Sequence, residues 1–274
     1  MKILIATDME GITGVTTWDH VTPGHAEYAR FRRLMTQDVN AAIRGAIESG
    51  ADEIIVADGH GNGSNILIEE LDPRARLNTG SPSPFSMMQG IDESVDAVMF
   101  IGYHARNGSP NAVLDHTWSS ESVANIWLND ILTGEHGLNA AVAGHFGVPV
   151  IMVSGDQTAC AQVVELLGEV ETAVVKQATG HFAAECLSPQ VTQEMIFMFA
   201  ARAVGRLAEG DAPDPFVLDA PVRVTVEFFT SVMADRAMRI PFAQREGTRV
   251  SFSAQVMASV YSGFRAMVTL AGAS

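Results

Sequence analysis

Short apolar runs alternate with longer amphipathic stretches over the first 210 residues of the chain. Five runs have the length and the polar or glycine borders of buried strands, at 2–7, 53–57, 97–102, 148–154 and 172–176. Four stretches repeat apolar residues at helical spacing, at 27–49, 138–146, 158–167 and 189–207. Because strands that alternate with helices form parallel sheets, the pattern predicts an α/β fold, with a mostly parallel sheet flanked by helices on both faces.

The pattern changes after the proline-rich segment APDP at 212–215, which interrupts any helix. Beyond it, residues 223–229 and 249–253 alternate apolar and polar side chains, as half-exposed strands do. We therefore predict two domains. Residues 1–210 would form the α/β catalytic domain, and residues 216–274 a smaller α+β lobe packed on it.

The composition narrows the class of protein. The 274 residues carry a formal net charge of −15, and a surface this acidic repels phosphate backbones, which argues against a nucleic-acid partner. No uninterrupted apolar run has the length of a membrane span, and the first one ends at Asp8, too early for a signal peptide. The two cysteines, Cys160 and Cys186, form no Cys-x-x-Cys pair. We expect reduced thiols and a cytoplasmic protein.

Chemically active side chains follow the first three predicted strands where the strands end. They are Asp8 and Glu10, then Asp58 and His60, then His104. In an open α/β sheet the carboxyl ends of the strands line the binding crevice, and Glu135, just before the predicted helix 138–146, could face the same crevice. Imidazoles and carboxylates in this number exceed the needs of one tetrahedral ion, and with one bridging carboxylate they suit two.

Each of these residues also has an ordinary explanation, and spacing alone leaves the choice open. An Asp after a strand often caps a helix or a turn, and a single His is often a satisfied surface or core group. The glycines of 59–63 could cradle a phosphate, but they lack the order of a nucleotide-binding loop. His116, in a loop after the third strand end, is either a surface residue or a further member of the crevice, with Asp115 available to orient its ring.

Taken together, these segments resemble the zinc D-aminopeptidase family, the DppA-type enzymes of dipeptide-transport operons. The matching segments are DMEGITG at 8–14, DGH at 58–60, PFSMMQG at 84–90, GYHAR at 102–106, GEHGLNA at 134–140, VPVIMVSGD at 148–156, VKQ at 175–177 and CLSP at 186–189. They extend over the first lobe to about residue 190, whereas the remainder matches only loosely. Gly59 stands where the family has a serine, and His136 where it has an apolar residue.

The resemblance implies two zinc ions per chain, bridged by Asp8 and completed by Glu10, His60, His104 and Glu135. It also implies that His116 is catalytic, as a proton donor or as a stabiliser of the tetrahedral intermediate. The implied substrates are short peptides with a D-residue at the amino end, such as D-Ala-D-Ala. The implied assembly is a ring-like homo-oligomer of the decamer type.

Two other functions remain open from the sequence. A dinuclear metallohydrolase of another amide or ester would keep the metals. A phosphate ester is the less favoured substrate, because Arg106 is the one basic side chain close to the ligands in sequence. A non-catalytic protein that binds a small ligand would leave the complete ligand set and His116 unexplained.

Overall fold

The structure, a computed structural model, describes residues 1–273. Its strands are β1 (Lys2–Thr7), β2 (Glu53–Asp58), β3 (Ala75–Asn78), β4 (Ala97–Tyr103), β5 (Val123–Leu128), β6 (Ile131–Thr133), β7 (Val150–Asp156), β8 (Glu171–Gly180), β9 (Ala183–Cys186), β10 (Val222–Phe228), β11 (Gln244–Glu246) and β12 (Arg249–Ala254). Its helices are α1 (Trp18–Val21), α2 (Tyr28–Glu48), α3 (Glu135–His145), α4 (Gln157–Leu167), α5 (Pro189–Glu209), α6 (Ser231–Ala237) and α7 (Met257–Gly272). A short 3₁₀ turn covers Ser86–Met88.

The main sheet has seven strands in the order β3-β2-β1-β4-β7-β8-β9, and all neighbours are parallel except β8 and β9. The side chains of β1 alternate between its two faces, as a buried strand requires. Ile3 and Ile5 pack with α2 and α5 on one face, whereas Leu4 and Ala6 belong to the core that includes α3, α4 and α7 on the other. The predicted α/β fold with helices on both faces is confirmed.

A second, antiparallel sheet has the order β11-β12-β10-β5-β6. The sequence predicted its two longest C-terminal strands, which are β10 and β12. Its other half, β5 and β6, comes from residues 123–133, inside the range assigned to the first domain. The division into 1–210 and 216–274 stays a prediction, and the C-terminal segment does not build this sheet alone.

The helix that begins at Glu135 starts three residues earlier than the pattern predicts. Glu135, His136 and Gly137 interrupt the apolar spacing there, yet all three are buried. Glu135 therefore lies in the first turn of α3 and not in the loop before it. Within residues 1–273, no helix combines the length and the hydropathy needed to cross a bilayer.

Candidate metal centre

The carboxyl ends of β1, β2 and β4 lie side by side because the register of the sheet is level there. Thr7, the last residue of β1, pairs with Asp58 of β2 and Ile101 of β4. The chain after β1 then folds tightly over the end of β4. At Gly11 an added Cβ would lie 2.0 Å from the carbonyl oxygen of Tyr103, so a side chain there would force the two segments apart. This contact sets Asp8 and Glu10 beside His104.

The five predicted ligands come together in two groups that share Asp8. On one side, Nδ1 of His60 lies 3.3 Å from Oδ1 of Asp8 and 3.0 Å from Oε2 of Glu10. On the other side, Nε2 of His104 lies 3.3 Å from Oδ2 of Asp8 and 3.1 Å from Oε1 of Glu135. Each oxygen of Asp8 thus faces a different histidine, an arrangement in which the carboxylate could bridge two ions.

His116 reaches the same centre from the loop before β5. Its ring stacks on that of His104 with the centroids 4.0 Å apart, and its Nε2 lies 3.8 Å from Oε1 of Glu135. Trp18 packs against the same ring edge to face, with the centroids 5.4 Å apart. The donor atoms of His104, His116 and Glu135 all lie within 4.8 Å of one another, so geometry alone allows His116 to be a ligand as well as a catalytic group.

Backbone carbonyls fix the orientation of all three imidazoles. Nε2 of His60 lies 2.9 Å from the oxygen of Val21, Nδ1 of His104 lies 3.0 Å from that of Ala105, and Nδ1 of His116 lies 2.9 Å from that of Leu114. A carbonyl only accepts, so each of these nitrogens carries the hydrogen. In the neutral ring the other nitrogen presents a lone pair to the centre, as histidine ligands of metals do.

The centre concentrates negative charge in a buried place. Burial opposes the charged form of His60 and of His104, but the facing carboxylates outweigh it and raise the pKa of both imidazoles well above the usual range. Burial likewise opposes ionisation of Asp8 and Glu135, but the adjacent histidines dominate and lower the pKa of both carboxyl groups. Carboxylates held ionised beside imidazoles are the electrostatic setting that a divalent cation stabilises.

One atom tests directly whether these residues fit zinc. Nε2 of His104 is fully buried, and no group in residues 1–273 makes a hydrogen bond with it, although two carboxylate oxygens lie nearby. A buried ring nitrogen without a hydrogen bond is costly, and a cation bound in place of its proton would satisfy it. Two imidazole nitrogens and three carboxylates are also the donors that zinc prefers. The residues present therefore fit the metal.

Asp58, the other acid at a strand end, has a different task. Its carboxylate accepts hydrogen bonds from the backbone N–H of Asn65 and of Ile66 and from the side-chain amide of Asn65. It therefore organises the loop that carries His60, and its inclusion among the strand-end ligands was wrong. In the same loop the N–H groups of Gly59 and Gly63 bond to backbone carbonyls, which leaves few donors for a phosphate.

Asp115 does not orient His116. Its Oδ1 lies 2.5 Å from Nδ1 of His181, and its Oδ2 accepts from the backbone of Gly108 and Ser109. The expectation that neighbours in sequence would be partners was wrong, because the backbone carbonyl of Leu114 takes that place. His136 is buried, which lowers its pKa to about 3, so it is neutral and suits the position at which the family has an apolar residue.

A pocket of about 460 Å³ opens over the centre. Its walls carry Asp8, Glu10 and Glu135 together with both His60 and His116. Its other conspicuous lining residues are Trp18, Trp118, Glu121 and Arg265. These four were not predicted from the sequence, because Trp18 lies in the one-turn helix α1, Trp118 and Glu121 in a loop and Arg265 in a C-terminal helix, and none is part of a recognisable pattern. Arg106, the basic residue considered from the sequence, is not among the lining residues.

A family model described as D-aminopeptidase matches residues 1–266. The chain belongs to the D-aminopeptidase family. The match therefore continues well beyond residue 190, where the matching motifs end, and includes most of α7. The chain is 37% identical to a D-aminopeptidase of Bacillus subtilis over 274 residues, which is 99% of this chain and 98% of that protein.

A solved structure of the family superposes on the whole chain. It is the Zn-dependent D-aminopeptidase DppA of Bacillus subtilis, described as a self-compartmentalizing protease. The TM-score is 0.96 at 36% sequence identity, and the match covers 100% of this chain and 99% of that one. The fold and the family predicted from the sequence are therefore confirmed.

Proposed function

We propose that the chain is a zinc-dependent aminopeptidase that removes the N-terminal residue of short peptides. The observation that carries the proposal is the placement of Asp8 between two histidines, each of which faces a carboxylate of its own. Family membership and the zinc dependence of the related DppA support the same reaction. The proposed ligands are Asp8 as the bridge, with Glu10, His60, His104 and Glu135, and the proposed content is two zinc ions per chain.

Zinc held by these residues would supply a Lewis acid that polarises a carbonyl group and lowers the pKa of water. The chain supplies the remaining chemistry. His116 presents Nε2 to the pocket while Leu114 holds its Nδ1, so Nε2 is the atom that can carry a proton to the leaving amine. Trp18 packs against the ring of His116 and limits its movement.

The charge of the pocket favours a substrate with a free amine. Glu121 lines the pocket and is not a proposed ligand, so its carboxylate remains available to an ammonium group when the other acids hold zinc. A peptide whose amino terminus is blocked would lose this attraction. We propose D-residues at the amino end, as in D-Ala-D-Ala, on the strength of the family alone.

The assembly and the location are further proposals. The related DppA is called self-compartmentalizing, which supports a homo-oligomer here, and we propose the decamer implied by the family resemblance. We also propose a cytoplasmic location, with which the free thiols of Cys160 and Cys186 are compatible.

Metal analysis and a peptide screen on one preparation test the function. We expect about two zinc ions per chain and release of the N-terminal residue from free dipeptides, with no turnover of the same peptides after N-acetylation. Cleavage of blocked peptides at an equal rate would contradict an aminopeptidase and favour another amide hydrolase. Zinc without hydrolysis of any peptide, amide or ester would favour a binding protein.

A further inference from the structure

One basic side chain lines the otherwise acidic pocket. Arg265, in the penultimate turn of the long helix α7, is the single Arg or Lys among the lining residues described above the centre. Most other arginines of residues 1–273 pair with Asp or Glu on the surface. Arg265 has no such partner within the described chain, so its charge is available to a ligand.

The guanidinium of Arg265 is held in place by one of its nitrogens. Nη1 donates to the backbone carbonyls of Ser83 and Pro84. Nε and Nη2 have no hydrogen-bond partner in residues 1–273 and form the edge of the guanidinium that can bind a carboxylate with two parallel hydrogen bonds. The hydroxyl groups of Ser81 and Ser86 line the same pocket and offer further donors.

A short chain of contacts joins Arg265 to the metal ligands. The backbone N–H of Trp118 donates to Glu135 at 2.7 Å, and the ring of Trp118 packs on Tyr261 and Phe264 of α7. Tyr261 lies one helical turn before Arg265 and donates to the carbonyl of Phe85. The same segment, 83–85, is therefore held by both side chains. The guanidinium is anchored to the wall of the pocket that begins at Glu135.

The pocket thus has the proposed metal centre at one end and a cationic group on the wall beyond Trp118. An aminopeptidase cleaves the first peptide bond at the metal centre, so the C-terminal carboxylate of a short peptide lies on the far side of that bond, where a cationic group can bind it. We propose that Arg265 binds the C-terminal carboxylate of the substrate and so selects dipeptides with a free carboxyl end. This inference rests on the proposed function, since it fixes which end of the peptide faces the ligands.

The simplest test uses the wild-type zinc enzyme and two substrates, D-Ala-D-Ala and its C-terminal amide. We expect kcat/KM to be roughly 10- to 100-fold higher for the free acid, the worth of a charge-assisted pair of hydrogen bonds. Cleavage of both peptides at similar rates would overturn the role of Arg265 and leave the aminopeptidase standing. Cleavage of neither would overturn the proposed function and this inference with it.

The variant Arg265→Met distinguishes binding of the substrate carboxylate from structural support of residues 83–84. We expect it to raise KM for the free acid by a similar factor while kcat changes little, because the lost contact is made in the ground state and the transition state alike. The kcat/KM for the amide should fall much less than that for the free acid. Arg265→Lys should recover part of the preference for the free acid over the amide. Equal losses for acid and amide, or a fallen zinc content, would show that Arg265 only fastens residues 83–84.

Arg236→Met is the matched control. Arg236 is also half-buried and donates to a backbone carbonyl, that of Ala271 in α7, but it does not line the pocket. Arg236→Met should therefore leave the ratio of kcat/KM for the acid to kcat/KM for the amide at the wild-type value. A change as large as that of Arg265→Met would attribute the effect to the packing of α7 and would overturn the proposal.

Discussion

Replacing Asp58 by alanine would distinguish a support of the centre from a ligand of it. The carboxylate accepts three hydrogen bonds, at 2.5 Å from Asn65 N, 2.8 Å from Asn65 Nδ2 and 2.8 Å from Ile66 N. Both backbone donors belong to buried residues, and Asp58 itself is only 6% exposed. Asp58→Ala therefore removes a charged acceptor and leaves buried N–H groups without a partner.

The expected loss follows from those bonds. A hydrogen bond to a charged group contributes about 1.5–3 kcal/mol, and a buried donor left unpaired costs about 1–3 kcal/mol. The three bonds serve one loop and are not additive, so we expect Asp58→Ala to lower the free energy of unfolding by about 3–5 kcal/mol. Asp58→Asn keeps one acceptor oxygen and should lose less.

Urea unfolding of the metal-free protein measures this loss without a contribution from bound zinc. Zinc content at saturating metal, on the same variant, should stay at the wild-type value because Asp58 faces the loop. The control is Asp52→Ala, at the other end of β2, whose carboxylate is 86% exposed and pairs with the amino terminus. It should change stability by less than about 1 kcal/mol. A stable Asp58→Ala protein that has lost zinc would refute the reasoning and make Asp58 a ligand.

Asp8→Ala should lose both zinc ions and all activity, since each of its oxygens faces a different histidine; full zinc content by metal analysis would contradict the bridge. His116→Ala should keep zinc and fold while kcat falls by roughly 10²–10⁴; loss of metal would make His116 a ligand, and a few-fold change would make it a bystander. Burial raises the pKa of Asp38 to about 6, so its ionisation destabilises the folded state as pH rises from about 4 to 6. Wild type should therefore lose about 1 kcal/mol relative to Asp38→Asn between pH 5 and 7, and parallel pH profiles in urea would exclude this effect.

The sequence predicts the centre of the main sheet well because β1, β2, β4 and β7 are almost entirely buried and consist largely of apolar residues. Of β8, which has exposed polar residues in its second half, the apolar pattern marks only 172–176. The edge strands β3 and β9 have four residues each and partly exposed side chains, so no run marks them. The pairing of β5 with β10 joins segments about a hundred residues apart. Nothing in the local pattern of either strand indicates that partner, and β5 and β6 were missed. β11, three exposed polar residues, was missed as well.

The site, too, has a part that the sequence predicts and a part that it does not. Asp8, His60 and His104 follow strand ends whose register is level, so their meeting follows from topology alone. The direction in which a carboxylate points does not follow from the topology, because it depends on where the hydrogen-bond donors lie. Asp58 turns towards Asn65, and Asp115 turns towards His181, 66 residues away. Arg265 comes from a helix in the segment for which no role was predicted.

The segment that follows β1 is supported through its backbone atoms. The ammonium group of Lys176, buried beneath the segment that follows β1, donates to the carbonyls of Glu10, Ile12 and Val15. Asp38 accepts from the N–H of Thr13 in the same segment.

These contacts fix the course of the chain without engaging any side-chain oxygen of the proposed ligands. The histidines are also held by backbone atoms, since each donates from one ring nitrogen to a backbone carbonyl and presents the other nitrogen to the centre. A hydrogen bond at the ring nitrogen that faces away from the centre holds the histidine and leaves its other nitrogen available as a ligand.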